Sequence, residues 1–110
     1  MLAPWAVTPE KLSAAVVRLV ALAHPRKILL FGSAARDPST ARDADLLVIL
    51  PGDVANRRAE SVRLRRGLRD ISMAIDLLVV SEKRLEALAD RPGLVYREAL
   101  REGRLLYESA

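Results

Sequence analysis

The chain has 110 residues, of which 51% are hydrophobic and 29% are charged, and its formal net charge is +4. This length allows one domain with a hydrophobic core, residues 1–110, and excludes a catalytic domain followed by a separate substrate domain. The absence of cysteine excludes disulfides, thiol nucleophiles and zinc–thiolate sites. The N-terminus lacks the features of a signal peptide, and no stretch approaches the roughly 18 apolar residues of a membrane span, so a cytoplasmic protein is expected.

The first predicted elements are a helix and a buried strand. Thr8-Pro9-Glu10 has the order of an N-cap, a proline in the first turn and an acidic residue, and apolar residues follow at helical spacing. This helix is expected to end before Pro25. The apolar run from 27 to 31 predicts a short strand, which Gly32-Ser33 ends, and residues 34–42 are expected to form a short helix or loop.

A second strand is predicted over residues 44–50, and a long helix follows it. Pro51-Gly52 stops the strand, and Asp53 is expected to cap a helix that reaches about Asp70. The apolar side chains of this helix fall on one face and its arginines on the other, which favours an arginine face directed at solvent or a partner. An RNA contact by these arginines is the less favoured reading, and direct binding of nucleic acid is not expected.

The remainder of the chain predicts a strand, two helices and a short edge strand. The third strand runs from about residue 73 to 80, and Ser81 is expected to cap a helix that ends near Ala89. Pro92-Gly93 separates this helix from a final one that ends near Gly103. Residues 104–107 then predict a short edge strand.

Three aspartates interrupt stretches that otherwise have the composition of buried strand. Asp43 and Asp45 precede or enter the second strand, and Asp76 lies in the third. An ionised carboxylate in such a strand is costly unless a cation or hydrogen bonds compensate it. Alternation along a strand directs Asp43 and Asp45 to one face, where Asp76 can join them from a neighbouring strand. Such a cluster repels itself when empty and attracts a hard cation such as Mg²⁺.

The turn after the first strand is a candidate phosphate-binding loop. Glycine lets the backbone approach a ligand closely, and the hydroxyl of Ser33 adds a hydrogen-bond donor beside Gly32. Arg36, just beyond the turn, can pair with phosphate oxygens. Two plainer readings stay open: Gly32-Ser33 can be a simple strand-to-helix turn, and Arg36 can pair with the neighbouring acid Asp37.

Together these residues resemble the motif of the nucleotidyltransferase superfamily of DNA polymerase β. That motif is a hydrophobic residue, Gly, Gly or Ser, a spacer and then Asp-hydrophobic-Asp-hydrophobic, and both Phe31-Gly32-Ser33 and Asp43-Ala44-Asp45-Leu46 match it. Asp76 lies where the third carboxylate of the family falls. The sequence Gly-Ser-Ala-Ala-Arg and the compact length are most similar to the minimal nucleotidyltransferases, which are paired with helical HEPN proteins in toxin–antitoxin modules. Arg42 departs from the serine that many members carry there.

The resemblance implies an α/β (α+β) domain in which helices flank a mixed sheet. It also implies transfer of AMP from ATP to an acceptor hydroxyl, with two Mg²⁺ ions held by Asp43, Asp45 and Asp76 as metal-binding and catalytic residues. Gly32, Ser33 and Arg36 would bind the triphosphate. The implied partner is a HEPN-type toxin, and the implied acceptor is a hydroxyl of that toxin, such as a tyrosine.

Two other functions stay open at this point. The chain can be a binding module that neutralises a partner by covering it, because a domain of this size has no room for its own acceptor-binding lobe. It can also modify small molecules, as the antibiotic-modifying nucleotidyltransferases do, although those enzymes carry an additional helical domain. The sequence names neither the acceptor, the preferred base nor the oligomeric state.

Overall fold

A computed structural model describes residues 3–88 and 95–110 of the chain. None of the helices in these two ranges combines the length and hydrophobicity needed to cross a membrane. The described elements, in chain order, are α1 (Pro9–Ala23), β1 (Lys27–Phe31), α2 (Ser33–Arg36), β2 (Ala44–Leu50), α3 (Arg57–Gly67), β3 (Ile75–Ser81), α4 (Glu82–Leu88), α5 (Val95–Glu102) and β4 (Arg104–Glu108).

The strands form one mixed sheet in the order β3-β2-β1-β4. β1 is antiparallel to both of its neighbours, β2 and β4, whereas β2 and β3 are parallel. β2 and β3 can be parallel because α3 connects them: parallel strands start at the same end of the sheet, so the chain needs a crossover that returns it to that end. The α/β (α+β) domain with a mixed sheet between helices that the sequence predicts is therefore confirmed.

Helix α1 begins and ends where the sequence predicts. The hydroxyl of Thr8 accepts a hydrogen bond from the backbone N–H of Lys11 at 3.2 Å, and Pro9 occupies the first turn, where its missing N–H costs nothing. At the other end His24 adopts a left-handed conformation with φ 45°, and its N–H donates to the carbonyl of Val20. Pro25 then prevents the helix from continuing.

The sheet has a hydrophobic core on each face. Even-numbered residues of β2, such as Leu46 and Val48, pack with α1 and α3 in the larger core. Odd-numbered residues, such as Leu47 and Ile49, pack with α4 and α5 in the smaller one, which also contains Tyr96. Side chains alternate along a strand, so Asp45 lies on the face of the smaller core.

The sequence prediction for α3 is wrong at both ends. Asn56, not Asp53, caps the helix, because its side-chain oxygen accepts from the N–H of Ala59 at 3.0 Å. The carboxylate of Asp53 instead accepts a hydrogen bond from the adjacent N–H of Val54. The side chain of Val54 packs against the larger core. The helix ends at Gly67 rather than near Asp70.

The predicted cap at the following helix is confirmed. Ser81 accepts from the N–H of Arg84 at 3.1 Å at the start of α4. β4 extends over Arg104–Glu108 as an edge strand, also as predicted. The predicted helix end at Ala89 and the break at Pro92-Gly93 lie outside the described residues.

Two substitutions in α1 test the larger core. Leu19 is fully buried, whereas Val17 on the opposite face is 69% exposed. We expect Leu19→Ala to lower the free energy of unfolding by about 2–5 kcal/mol, because it leaves a cavity. Val17→Ala should change it by less than about 0.5 kcal/mol. Urea denaturation measures both values, and equal effects would contradict the assignment of the buried face.

Candidate active site

Asp45 and Asp76 lie side by side on the two parallel strands. They are direct register partners of β2 and β3, so their side chains lie on the same face of the sheet, about 4.8 Å apart in backbone spacing. On its other side Asp45 is opposite Phe31, the last residue of β1. The sequence predicted that Asp76 can join Asp45 from a neighbouring strand, and this register confirms their adjacency.

Asp43 lies two residues before Asp45, in the bend that leads into β2, and its side chain is exposed. Burial raises the pKa of the Asp45 carboxyl, and the charges of Asp43 and then Asp76 raise it further. The charges of Asp43 and Asp76 therefore both act on Asp45. They form a concentration of negative charge at the start of β2 and β3.

Gly32 brings the turn after β1 against this cluster. Its backbone has φ 71° and ψ −153°, a region that is essentially restricted to glycine. A Cβ atom on Gly32 would also overlap the Oδ2 atom of Asp45. The glycine therefore serves two purposes, since it makes the turn possible and leaves space for the carboxylate. Sequence reasoning assigned Gly32 to phosphate binding and missed this contact, which only the pairing of Phe31 with Asp45 reveals.

Ser33 and Arg36 begin and end the short helix α2, directly after this turn. The plainer reading of Arg36 as the ion-pair partner of Asp37 is not observed. The Asp37 carboxylate accepts hydrogen bonds from Ser39, through its hydroxyl at 2.6 Å and its N–H at 3.2 Å. The hydroxyl contact in particular lowers the pKa of Asp37. In the described part of the chain no ion pair involves Arg36.

The donor set of the cluster fits a hard cation in its chemistry. Carboxylate oxygens are the ligands that Mg²⁺ prefers, and no salt bridge within residues 3–88 and 95–110 neutralises Asp43, Asp45 or Asp76. Among the same residues, no three His, Cys, Asp or Glu side chains are placed so that together they could hold a metal ion. The fold thus supplies an adjacent pair of carboxylates, with the third on a bend beside it.

A glycine-to-alanine pair tests the contact between the turn and the carboxylate. Gly52 also has a positive φ, 67°, but a Cβ there would meet nothing within 4 Å. We expect Gly52→Ala to cost about 1–2 kcal/mol from backbone strain alone. Gly32→Ala should cost more and should also weaken Mg²⁺ binding by about tenfold or more, because Asp45 must move. Urea denaturation and calorimetric Mg²⁺ titration measure the two effects, and unchanged Mg²⁺ binding would contradict this role of Gly32.

The raised pKa of Asp45 predicts a substitution that stabilises the metal-free protein. Its folded-state pKa lies above that of an unfolded aspartate, so the ionised form at pH 7 destabilises the fold. Asp45→Asn should raise Tm by roughly 2–5 °C at pH 7 in EDTA. The gain should shrink as the pH falls and the Asp45 carboxylate takes up a proton, because protonation removes the penalty on the charged form. Asp53→Asn, at an exposed loop residue, is the control, and a fall in Tm for Asp45→Asn would refute the expectation.

No family model and no curated protein matches the chain. Two solved structures share its fold. One is a proposed nucleotidyltransferase from Sulfolobus solfataricus, with a TM-score of 0.62 and 18% identity over 90% of this chain and 78% of that one. The other is a mutant of the toxin–antitoxin MntA-HpeT, with a TM-score of 0.60 and 16% identity over 88% of this chain and 72% of that one. The chain therefore has the same fold as nucleotidyltransferases, whose motif its sequence resembles.

Proposed function

We propose that this protein is a Mg²⁺-dependent nucleotidyltransferase that transfers AMP from ATP to a hydroxyl group of a partner protein. We further propose that the partner is a HEPN-type toxin and that the protein acts as its antitoxin. The observation that carries the proposal is the placement of Asp45 between Asp76 and the Gly32 turn. It joins the candidate cation ligands to the candidate phosphate-binding loop within one small site.

The order of the strands favours opposite sides of Asp45 for the two proposed substrates. The turn of Gly32 and Ser33 follows β1, on one side of β2, and Asp76 lies on β3, on the other side. ATP is therefore best placed over the Gly32 turn, with Ser33 and Arg36 on its phosphate oxygens. The acceptor hydroxyl is best placed beside Asp76, at the outer strand of the sheet.

In this arrangement the acceptor oxygen attacks the α-phosphorus of ATP. A new O–P bond forms, the bond to pyrophosphate breaks, and Asp76 is the nearest carboxylate to accept the hydroxyl proton. Asp43, Asp45 and Asp76 would hold two Mg²⁺ ions, which supply neutralising charge for the phosphates and the leaving group. Burial and then the charges of Asp43 and Asp76 raise the pKa of Asp45, and this supports the assignment because bound cations would stabilise the ionised carboxylate.

The toxin partner is supported by the fold and by the size of the chain. One structure of the same fold belongs to a toxin–antitoxin pair, and the resemblance of the motif is to nucleotidyltransferases that accompany HEPN proteins. Residues 3–88 and 95–110 form one domain around a single sheet, and among them no second lobe beside the site could hold an acceptor. A second protein would then supply the acceptor group.

Label transfer tests the proposed activity. The protein is incubated with ATP labelled at the α-phosphate, Mg²⁺ and the product of an adjacent gene, and labelled protein is counted after electrophoresis. We expect transfer to the partner, and a loss of at least about a thousandfold in the Asp43→Ala/Asp45→Ala variant, because cation binding fails. Asp53→Ala/Glu98→Ala removes the same charge from exposed positions and should retain activity. Equal labelling by the wild type and the Asp43/Asp45 variant would refute the proposal.

A non-catalytic antitoxin is the second candidate, and one observation favours it. The three carboxylates do not form a complete metal site among the described residues, since Asp43 lies on an exposed bend. In that case binding alone would neutralise the partner. The Asp43→Ala/Asp45→Ala variant separates the two functions, because full protection of cells from the partner by this variant would show that catalysis is dispensable.

A further inference from the structure

The two edges of the sheet differ in how they are protected against further pairing. β4 has five residues and a register irregularity against β1, between Ile28 and Leu29. Such a bulge disrupts an edge and discourages another strand. β3 has seven residues, pairs with β2 in continuous register, and contains neither proline nor lysine. Within residues 3–88 and 95–110, no strand pairs with its outer side.

A groove follows this outer side of β3. Its volume is about 520 Å³, and it lies between α3 and the strand. Three consecutive residues of β3, Leu77, Leu78 and Val79, line it. Because consecutive side chains point to opposite faces, a groove that touches all three runs along the backbone edge itself. The unpaired N–H and C=O groups of the strand are therefore accessible from this groove.

The opposite wall of the groove is cationic. Arg57, Arg58 and Arg65 of α3 line it, together with the half-exposed Val62. Arg57 donates a hydrogen bond to the hydroxyl of Tyr96 at 2.8 Å, which fixes its position. Among the described residues, neither Arg58 nor Arg65 has an acidic partner. No acidic or aromatic side chain from residues 3–88 and 96–110 lines the groove, so this part of the chain attracts anions there but offers no surface for stacking bases.

We propose that the groove receives an extended, acidic segment of the partner protein, which adds to β3 as a further strand. Addition of a strand would satisfy the free backbone groups, and the arginines would select for acidic side chains. The lack of aromatic residues favours a protein segment over a single-stranded nucleic acid. The inference rests on the proposed function, because it describes how the acceptor reaches Asp76.

The register of an added strand predicts a sequence pattern in the partner. A residue opposite Asp76 would lie on the carboxylate face of the sheet, beside the proposed site. Residues opposite Leu77 and Val79 would lie on the other face, which packs with α3 and carries the arginines. A segment parallel to β3 is therefore expected to have a hydroxyl residue followed by alternating acidic and apolar residues, and an antiparallel segment the reverse order. Alternation also keeps its acidic side chains away from Asp45 and Asp76.

Fluorescence anisotropy with a designed peptide tests this inference. The probe is fluorescein-labelled Tyr-Glu-Val-Glu-Val, titrated with the full chain carrying Asp43→Ala/Asp45→Ala, without ATP or Mg²⁺. We expect saturable binding below 1 mM that weakens as salt is raised. Arg58→Glu/Arg65→Glu should weaken it by about tenfold or more, since two attractive pairs become repulsive. Arg101→Glu/Arg104→Glu, the same charge change at exposed positions outside the groove, should change it by less than about twofold.

Changes in the probe separate strand pairing from simple attraction. A peptide with N-methyl groups on alternate residues keeps its charge but loses half of its backbone N–H donors. Of the two such peptides, methylated at odd or at even positions, one should bind about tenfold more weakly than the unmethylated peptide, because its remaining N–H groups face away from β3. A peptide with Lys in place of Glu should not bind. The proposal is overturned if no acidic peptide binds at 1 mM, or if both arginine variants lose affinity equally. It is also overturned if both N-methylated peptides bind as well as the unmethylated peptide. Tighter binding of a 12-nucleotide RNA than of the peptide, through Arg58 and Arg65, would overturn it too.

The failure of this inference and that of the proposed function are distinguishable. Peptide binding is measured with the inactive variant, so it does not depend on AMP transfer. Peptide binding without label transfer in the wild type would refute the enzymatic function and leave the docking groove intact. Label transfer to the partner that is unaffected by Arg58→Glu/Arg65→Glu would refute the groove and leave the enzymatic function intact.

Discussion

Mutual repulsion between carboxylates is the constraint on which the rest of this structure depends. Asp45 and Asp76 are adjacent on parallel strands, and Asp43 lies two residues before Asp45. Burial, and then the charges of Asp43 and Asp76, raise the pKa of Asp45. Within the described residues, the protein provides no basic side chain that neutralises them. A sheet retains such an arrangement at a cost in stability, which is reasonable where a bound cation offsets it.

The residues around the three carboxylates are arranged so that the fold can keep these like charges together. Gly32 approaches so closely that any side chain there would collide with Asp45, which places the turn and its amide groups beside the negative cluster. The hydrophobic cores on both faces hold β2 rigidly, since Leu46, Leu47 and Val48 are fully buried. A site on rigid strands can keep like charges together where a flexible loop would let them separate. Three arginines of α3 line the groove beside β3, so anionic groups can approach from that side.

Much of this architecture could be predicted from local sequence. The helix caps at Thr8 and Ser81, the buried strands and the edge strand β4 follow from short-range patterns, and the structure confirms them. The cap of α3 was predicted wrongly because Asp53 and Asn56 are both good capping residues. Only the packing of Val54 against the core decides between them.

The details of the site depended on contacts between segments distant in sequence. The motif named Gly32 and Asp45 as candidate site residues. It did not show that Asp45 fills the space above Gly32, because this contact follows from the register of β1 against β2. The groove beside β3 likewise combines a strand edge with arginines of the preceding helix. The arginine face was visible in the sequence, but its position beside the edge strand β3 was not. Sequence patterns therefore predicted the elements and the adjacency of Asp45 and Asp76 better than the groove beside β3.

The most direct test of the central claim is a crystal structure of the protein with Mn²⁺ and a non-hydrolysable ATP analogue. Anomalous scattering would locate the metal ions independently of the protein phases. The account predicts metal bound by Asp43, Asp45 and Asp76, with the triphosphate against Gly32 and Ser33. Metal and nucleotide bound elsewhere, or three carboxylates that remain without a cation at saturating Mn²⁺, would contradict it.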